Sequence, residues 1–138
     1  MQRKLNMIVG MIIFLSSCQS PNEDCCGGPK EVALGESFSI KVGETVNISQ
    51  SSAVITFETL ISDSLCPADV ECLTLGTLSI AINVSGTEKT LSIGDNAKDV
   101  AHYKDYSIVL ERLVYPTKQS EKDSNNSTYA VQMKITRS

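Results

Sequence analysis

Apolar and polar residues alternate with a period of two through most of the chain beyond residue 32. The clearest run places Leu78, Ile80, Ile82 and Val84 between polar or small residues. Strict alternation is typical of a β-strand with one buried and one solvated face. The pattern predicts about seven strands, and the in-phase positions of the other six are Phe38, Ile40 and Val42; Val46 and Ile48; Ile55, Phe57, Thr59 and Ile61; Leu91 and Ile93; Tyr106, Ile108 and Leu110; and Tyr129, Val131, Met133 and Ile135.

Turn-forming residues separate the predicted strands. Gly43 follows the first strand, Ser85-Gly86 follows the fourth, and "GDN" occupies residues 94–96. The polar stretch 117–127 predicts a long mobile loop, and only residues 96–106 could hold a short helical turn. Short strands with regular turns predict an all-β fold, either an antiparallel β-sandwich or a small barrel.

The N-terminus has the layout of a secretory signal peptide. Arg3 and Lys4 precede an apolar run from Met7 to Leu15, which leads through two serines to Cys18. A nine-residue helix rises only about 14 Å, against about 30 Å for the hydrocarbon core of a bilayer. The run is therefore too short for a transmembrane helix.

The residues "LSSC", 15–18, resemble the lipobox of bacterial lipoproteins. The resemblance implies that Cys18 becomes the mature N-terminus and carries a covalent lipid, the only cofactor expected. Several acyl chains anchor a protein stably, whereas one chain does so only marginally. Gln19 resembles an outer-membrane sorting position, and Glu23 and Asp24 resemble a surface-export signal, so an outer-membrane location is expected with the face of the membrane left open.

Three segments follow from this interpretation. Residues 1–17 form the signal peptide, residues 18–31 form a lipidated flexible tether rich in Gly, Pro and charged residues, and residues 32–138 form a single β-domain. Without its signal peptide the chain has ten basic and sixteen acidic residues, a net charge of about −6. This balance disfavours nucleic acid as a partner.

Catalytic machinery is not evident in the sequence. The one histidine, His102, lies in a polar segment without a nucleophile motif, so a solvated surface position is favoured. Neither a phosphate-binding glycine loop nor a metalloprotease helix motif is present. The protein is therefore expected not to be an enzyme, and no catalytic residue or metal site is assigned.

Lipidation of Cys18 leaves four of the five cysteines for pairing, and an oxidising compartment favours disulfides. Cys66 and Cys72 are separated by "PADVE", whereas a thioredoxin-type centre has two intervening residues. The neighbouring Asp69 and Glu71 would raise a thiol pKa rather than lower it. A disulfide between Cys66 and Cys72, stabilising the fold by roughly 2 to 2.5 kcal/mol, is predicted.

The adjacent pair Cys25 and Cys26 is followed by two glycines. A strained vicinal disulfide is one alternative, and pairing with another molecule or a periplasmic thiol is another. With Cys66 and Cys72 the pair could also supply four zinc ligands if the tether folded back.

The segment "ISDSLCPADVECLTLG", residues 61–76, resembles a group of small bacterial lipoproteins that share D-S-R-C-P, a few residues, then C-x-W-x-G. The resemblance spans roughly residues 36–115 and implies a β-rich, disulfide-containing envelope domain. Leu65 stands where the group has arginine, and Thr74 where it has tryptophan. Asp63-Ser64-Leu65 also resembles a three-residue O-glycosylation motif of exported Gram-negative proteins, which makes Ser64 a candidate glycosylation site.

Three functions compete. The favoured hypothesis is a non-catalytic, membrane-anchored binding or structural module that contacts an envelope protein or a glycan. The second is a protease inhibitor presenting the disulfide-braced loop; "IKVGETVNI" is similar to the opening strands of chagasin-like inhibitors, but their N-P-T-T-G-Y loop is missing. The third is thiol or metal handling through Cys25, Cys26, Cys66 and Cys72.

Overall fold

The computed structural model describes residues 28–122 and 126–138, which form ten strands in two packed sheets. Two 3-10 turns lie between the last two strands, Gln119–Glu121 and Asn126–Thr128. The strands are β1 Lys30–Val32, β2 Ser37–Lys41, β3 Thr45–Ile48, β4 Val54–Asp63, β5 Thr77–Val84, β6 Thr87–Gly94, β7 Ala97–Lys98, β8 Val100–Tyr103, β9 Tyr106–Tyr115 and β10 Ala130–Arg137.

The architecture is a two-layer sandwich with open edges, not a closed barrel. One sheet has the order β1-β3-β4-β5-β6-β7 and the other has the order β2-β10-β9-β8. Every pair of neighbouring strands is antiparallel except β1 and β3, which run parallel. The predicted all-β fold is confirmed, and of its two versions the sandwich is correct.

The core lies between the sheets and is built from the alternating apolar positions. In β5 the side chains of Leu78, Ile80 and Ile82 have no exposed surface, and Phe57 of β4 and Met133 of β10 are equally buried. Fully burying one such side chain contributes about 1.5 to 3 kcal/mol. The period of two therefore both forms the strands and directs their apolar faces into one core.

The strand pairings place several connections at one end of the sandwich, here called the loop end. The loop 64–76 between β4 and β5, the turn after β6 at Gly94, and the segment 116–129 between β9 and β10 all lie there. β1 lies toward the opposite end, because Lys30 pairs with Val46 and Val46 pairs with Ile55, near the start of β4. The first described strand therefore lies far from the loop 64–76.

All seven predicted strands are present, but β1, β7 and β8 were not predicted. β1 starts at Lys30, so Lys30 and Glu31 belong to a strand although the predicted tether includes them. The helical turn predicted within residues 96–106 is wrong, because β7 and β8 occupy this region. These strands are two and four residues long, too short for alternation to register. The turn between β8 and β9 uses Lys104 at φ 49°, where turn signals normally place Gly or Asn.

Candidate functional site

The loop 64–76, here called the braced loop, is closed by a disulfide between Cys66 and Cys72. Their Cα atoms are 5.9 Å apart, within the ordinary range for a bridge. The predicted disulfide is confirmed. The bridge stabilises the fold by about 2 to 2.5 kcal/mol in the chain-entropy model, because it reduces the conformational freedom of the unfolded chain. Thiol or metal chemistry at Cys66 and Cys72 would first require this bridge to be reduced.

A buried carboxylate lies at the start of the braced loop. Asp63 as a whole residue is half-buried, but its side chain is only 3% exposed. Its Oδ2 lies 2.9 Å from Nζ of Lys122 and accepts a hydrogen bond of 2.8 Å from the Tyr129 hydroxyl. Its Oδ1 accepts a 3.0 Å hydrogen bond from the backbone N–H of Leu65. The charge of Asp63 is therefore both paired and hydrogen-bonded, as a buried carboxylate requires.

The two partners of Asp63 come from distant parts of the chain. Lys122 Nζ also donates to the carbonyl of Leu65 at 2.9 Å, so one ammonium group holds both the strand end and the loop. The pKa of Tyr129 is raised above its ordinary value, first by burial and then by the hydrogen bond to Asp63. Tyr129 therefore remains a neutral donor. This network joins the end of β4, the segment before β10 and the braced loop.

Sequence reasoning missed Lys122 and assigned Tyr129 only as an apolar strand position. Lys122 lies 57 residues from Leu65, in the stretch predicted to be a long mobile loop. No pattern in the residues around Lys122 indicates that it contacts Asp63 and Leu65. Residues 116–122 and 126–129 belong to a loop before the last strand, as predicted, but residues 119 and 122 within it make specific contacts that the sequence did not predict.

Residues 116–122, here called the support segment, contact the braced loop directly. The N–H of Ala68 donates to the Thr117 carbonyl at 2.8 Å, and the N–H of Gln119 donates to Asp69 Oδ1 at 2.9 Å. The Glu121 carboxylate accepts hydrogen bonds from the N–H groups of Thr117 and Lys118, at 3.0 and 3.1 Å. These bonds, Thr117 first, lower the pKa of Glu121.

The second end of the braced loop depends on close backbone approach. Gly76 has φ 78°, and a Cβ there would overlap the Ser64 carbonyl group. Its N–H donates to Asp95 Oδ2 at 2.9 Å. Gly76 matches the glycine of the C-x-W-x-G pattern. The left-handed backbone and the lack of space for a Cβ atom both require glycine at this position.

Ser64, the candidate glycosylation site, is exposed, but its hydroxyl is bonded within the fold. Ser64 Oγ donates to the Thr77 carbonyl at 3.1 Å and accepts from the Thr77 N–H at 3.0 Å. A glycan on this oxygen would remove the donated bond. Glycosylation of Ser64 stays a prediction.

The two departures from the lipoprotein motif lie in different environments. Leu65 is half-buried and packs against the core, whereas Thr74 is exposed. Between and beside them the loop displays apolar side chains to solvent: Leu73 is fully exposed and Leu75 is 59% exposed.

A groove of about 870 Å³ lies between the braced loop and the second half of β9. Its apolar walls come from both sheets, the loop and the support segment, and include Leu65, Leu75, Ile93, Leu113 and Pro116. Its charged lining residues are Lys98, Glu111, Arg112, Lys122 and Lys134. A single carboxylate among five charged lining residues contrasts with the acidic balance of the chain as a whole.

The other candidate residues do not meet this groove. His102 is exposed, and its Nδ1 lies 3.1 Å from Ser107 Oγ. Cys18, Cys25 and Cys26 lie outside the described residues. Within residues 28–122 and 126–138, no group of three or more His, Cys, Asp or Glu side chains is placed to hold a metal ion. Over the same residues, no helix has the length and apolar character needed to cross a bilayer.

Comparison with known proteins gives no relative: no protein-family model, curated protein or solved structure matches the chain. The lipobox and the cysteine-motif resemblance therefore stay predictions.

Replacing Lys122 by Met should destabilise the fold by about 2 to 4 kcal/mol, because it leaves the buried Asp63 charge without its cation. Urea unfolding monitored by circular dichroism measures the change. Lys118→Met is the matched control, since Lys118 is an exposed lysine of the same segment. Equal losses in the two variants would show that the Asp63–Lys122 pair has no special role.

Replacing Gly76 by Ala should cost about 2 to 5 kcal/mol, since it adds left-handed strain and an overlap with the backbone of Ser64. Gly86 is the matched control: it has φ 91° but open space around it, so Gly86→Ala should cost only about 1 kcal/mol. The difference between the losses in unfolding free energy of Gly76→Ala and Gly86→Ala measures the cost of the overlap with the Ser64 backbone. Similar values would contradict the packing described here.

Acid should loosen the support segment internally, because Glu121 accepts hydrogen bonds from Thr117 and Lys118 of the same segment. Because the pKa of Glu121 is lowered in the folded protein, its stabilisation is present above the ordinary carboxyl pKa of about 4.5 and is lost as the pH falls below it. Glu121→Gln should therefore flatten the fall in unfolding midpoint between about pH 5 and 3. Glu36→Gln, at an exposed site elsewhere, should keep the wild-type slope. An unchanged slope in Glu121→Gln would refute this role.

Proposed function

We propose that the protein is a non-catalytic binding module of a bacterial cell envelope, lipid-anchored at Cys18, and that its ligand site is the groove beside the braced loop. The groove carries the proposal. Its volume of about 870 Å³ falls within the roughly 300 to 1,000 Å³ of ligand sites, and its walls are largely apolar with a few charged groups.

Rigidity of the wall supports a role in binding. The braced loop is closed by the Cys66–Cys72 bridge and is tied at its start to Lys122 and at its end to Asp95. A wall already fixed in place loses little conformational entropy when a ligand binds. The apolar side chains of the lining can pack against a ligand, and its charged side chains can bind groups of opposite charge.

The length of the predicted tether supports an envelope ligand within reach of the membrane. Lys30 lies level with Ile55 of β4, about eight residues, or roughly 25 Å, from the loop end along the strands. Between a lipidated Cys18 and Lys30, eleven residues could span at most about 40 Å when extended. The groove would then lie at the end of the domain away from the tether, within about 65 Å of the membrane surface, where an envelope protein or a glycan is the expected partner.

Filling the groove should abolish binding. Ala97 lies in β7 and lines the groove, so Ala97→Trp should place an indole in the site. The probe is 1-anilinonaphthalene-8-sulfonate, an apolar anion, with the whole chain carrying Cys18→Ser to prevent acylation and avoid detergent. We expect at least a tenfold loss of probe affinity in fluorescence titrations.

Ala33→Trp is the matched control, because Ala33 is exposed at the opposite end of the sandwich and should leave probe affinity unchanged. Both variants should keep the wild-type unfolding midpoint. Undiminished probe binding by Ala97→Trp would overturn the groove as the ligand site.

A further inference from the structure

Half of one edge of the smaller sheet has no strand beside it. β9 runs for ten residues, but β8 pairs only with Tyr106–Val109. From Leu110 to Tyr115, β9 is paired with β10 on one side, and no described strand pairs with its other side. An unpaired strand edge offers a row of N–H and C=O groups to another strand.

Most of this unpaired edge, from Leu110 to Leu113, lines the groove. Consecutive residues from Val109 to Leu113 line it, and Leu75, Ile93 and Ala97 stand on other walls. The open edge therefore borders a concave site with apolar walls, and its six residues, 110–115, correspond to about 20 Å of strand.

The charged side chains of the groove indicate which residues a bound segment would carry. Lys122 is paired with Asp63, but Lys98 and Lys134 have no carboxylate within 4.0 Å among residues 28–122 and 126–138. Arg112 donates to Gln132 Oε1 at 2.6 Å, a neutral acceptor. Glu111, the one carboxylate of the lining, accepts a hydrogen bond from Gln132 Nε2 at 2.9 Å. Apart from the paired Lys122, three cations and one carboxylate line the groove, so acidic side chains on a bound segment would meet a net positive charge.

The two faces of the smaller sheet explain how acidic and apolar residues would alternate. In β10, Val131, Met133 and Ile135 are buried, so the intervening Lys134 points away from the core. A strand added beside β9 would likewise direct one set of side chains toward the apolar interior and the other set toward the face of Lys134.

We propose that the groove binds an extended segment of another protein, with alternating acidic and apolar residues, which adds to residues 110–115 of β9 as a further strand. This inference rests on the proposed function, because it names the ligand of the same groove. The bound segment continues the sheet where β8 ends.

The test uses the acylated full chain in lipid nanodiscs, with empty nanodiscs as background. The probes are fluorescently labelled nonapeptides of alternating Glu and Val or alternating Lys and Val, measured by fluorescence anisotropy. We expect the acidic peptide to bind at least tenfold more tightly than the basic one. Amide hydrogen exchange across residues 110–115 should slow when it binds.

Backbone pairing is tested on the peptide, so the protein need not be altered. Two versions of the Glu-Val peptide carry N-methyl groups at alternate residues, one version in each phase. Because a strand presents alternate N–H groups to its neighbour, one version should lose at least tenfold in affinity and the other should bind nearly as well. Equal binding by both versions would overturn strand addition.

The charge requirement is tested with Lys98→Gln and Lys134→Gln, each expected to weaken binding of the acidic peptide roughly threefold to fivefold. Lys41→Gln is the matched control, since Lys41 is exposed on β2 and does not line the groove. If neither Lys98→Gln nor Lys134→Gln weakened binding of the acidic peptide, the proposed preference for acidic residues would be overturned.

Failure of this inference is distinguishable from failure of the proposed function. If the anionic naphthalene probe binds and is lost in Ala97→Trp but no peptide binds, the groove stands and strand addition falls. If neither probe binds, both fall. Slow exchange at residues 110–115 without peptide, together with a dimer in light scattering, would assign the edge to a second copy and overturn the proposal.

Discussion

The buried carboxylate of Asp63 is the constraint on which the loop end depends. The Asp63 side chain is only 3% exposed, and a carboxylate this buried can stay charged only if other polar groups replace the water that it loses. Lys122, Tyr129 and the N–H of Leu65 do so together. Satisfying one carboxylate therefore determines the path of three segments at once.

The groove follows from this requirement. Drawing Lys122 onto Asp63 brings the support segment against the braced loop, and the Ala68–Thr117 backbone bond then joins the two. Pro116 and Leu65 form part of the groove wall because their segments are held in this arrangement. The disulfide restricts the loop internally, whereas the ion pair fixes where the loop lies on the sandwich.

The sequence predicted the sandwich well because its strands are long enough for alternation to be read. All eight residues of β5 follow a pattern that specifies both a strand and a buried face. The disulfide was predictable from the spacing of Cys66 and Cys72. Lys122 was not, because a lysine in a polar stretch carries no local sign that it will meet a carboxylate 59 positions earlier. Contacts of this kind depend on tertiary structure alone.

The unequal lengths of β8 and β9 show how a feature too small for sequence reasoning can matter for recognition. A β8 as long as β9 would pair the whole edge and fill part of the groove, leaving only the exposed loop as a contact surface. With four residues, it covers the first part of β9 and leaves the rest open beside a wall held by the Asp63 network. Exposed edges invite aggregation unless charge or shape restricts what can pair with them. Here the cations Lys98, Arg112 and Lys134 and the concave setting supply both restrictions, so the same features that protect the edge also define what it can accept.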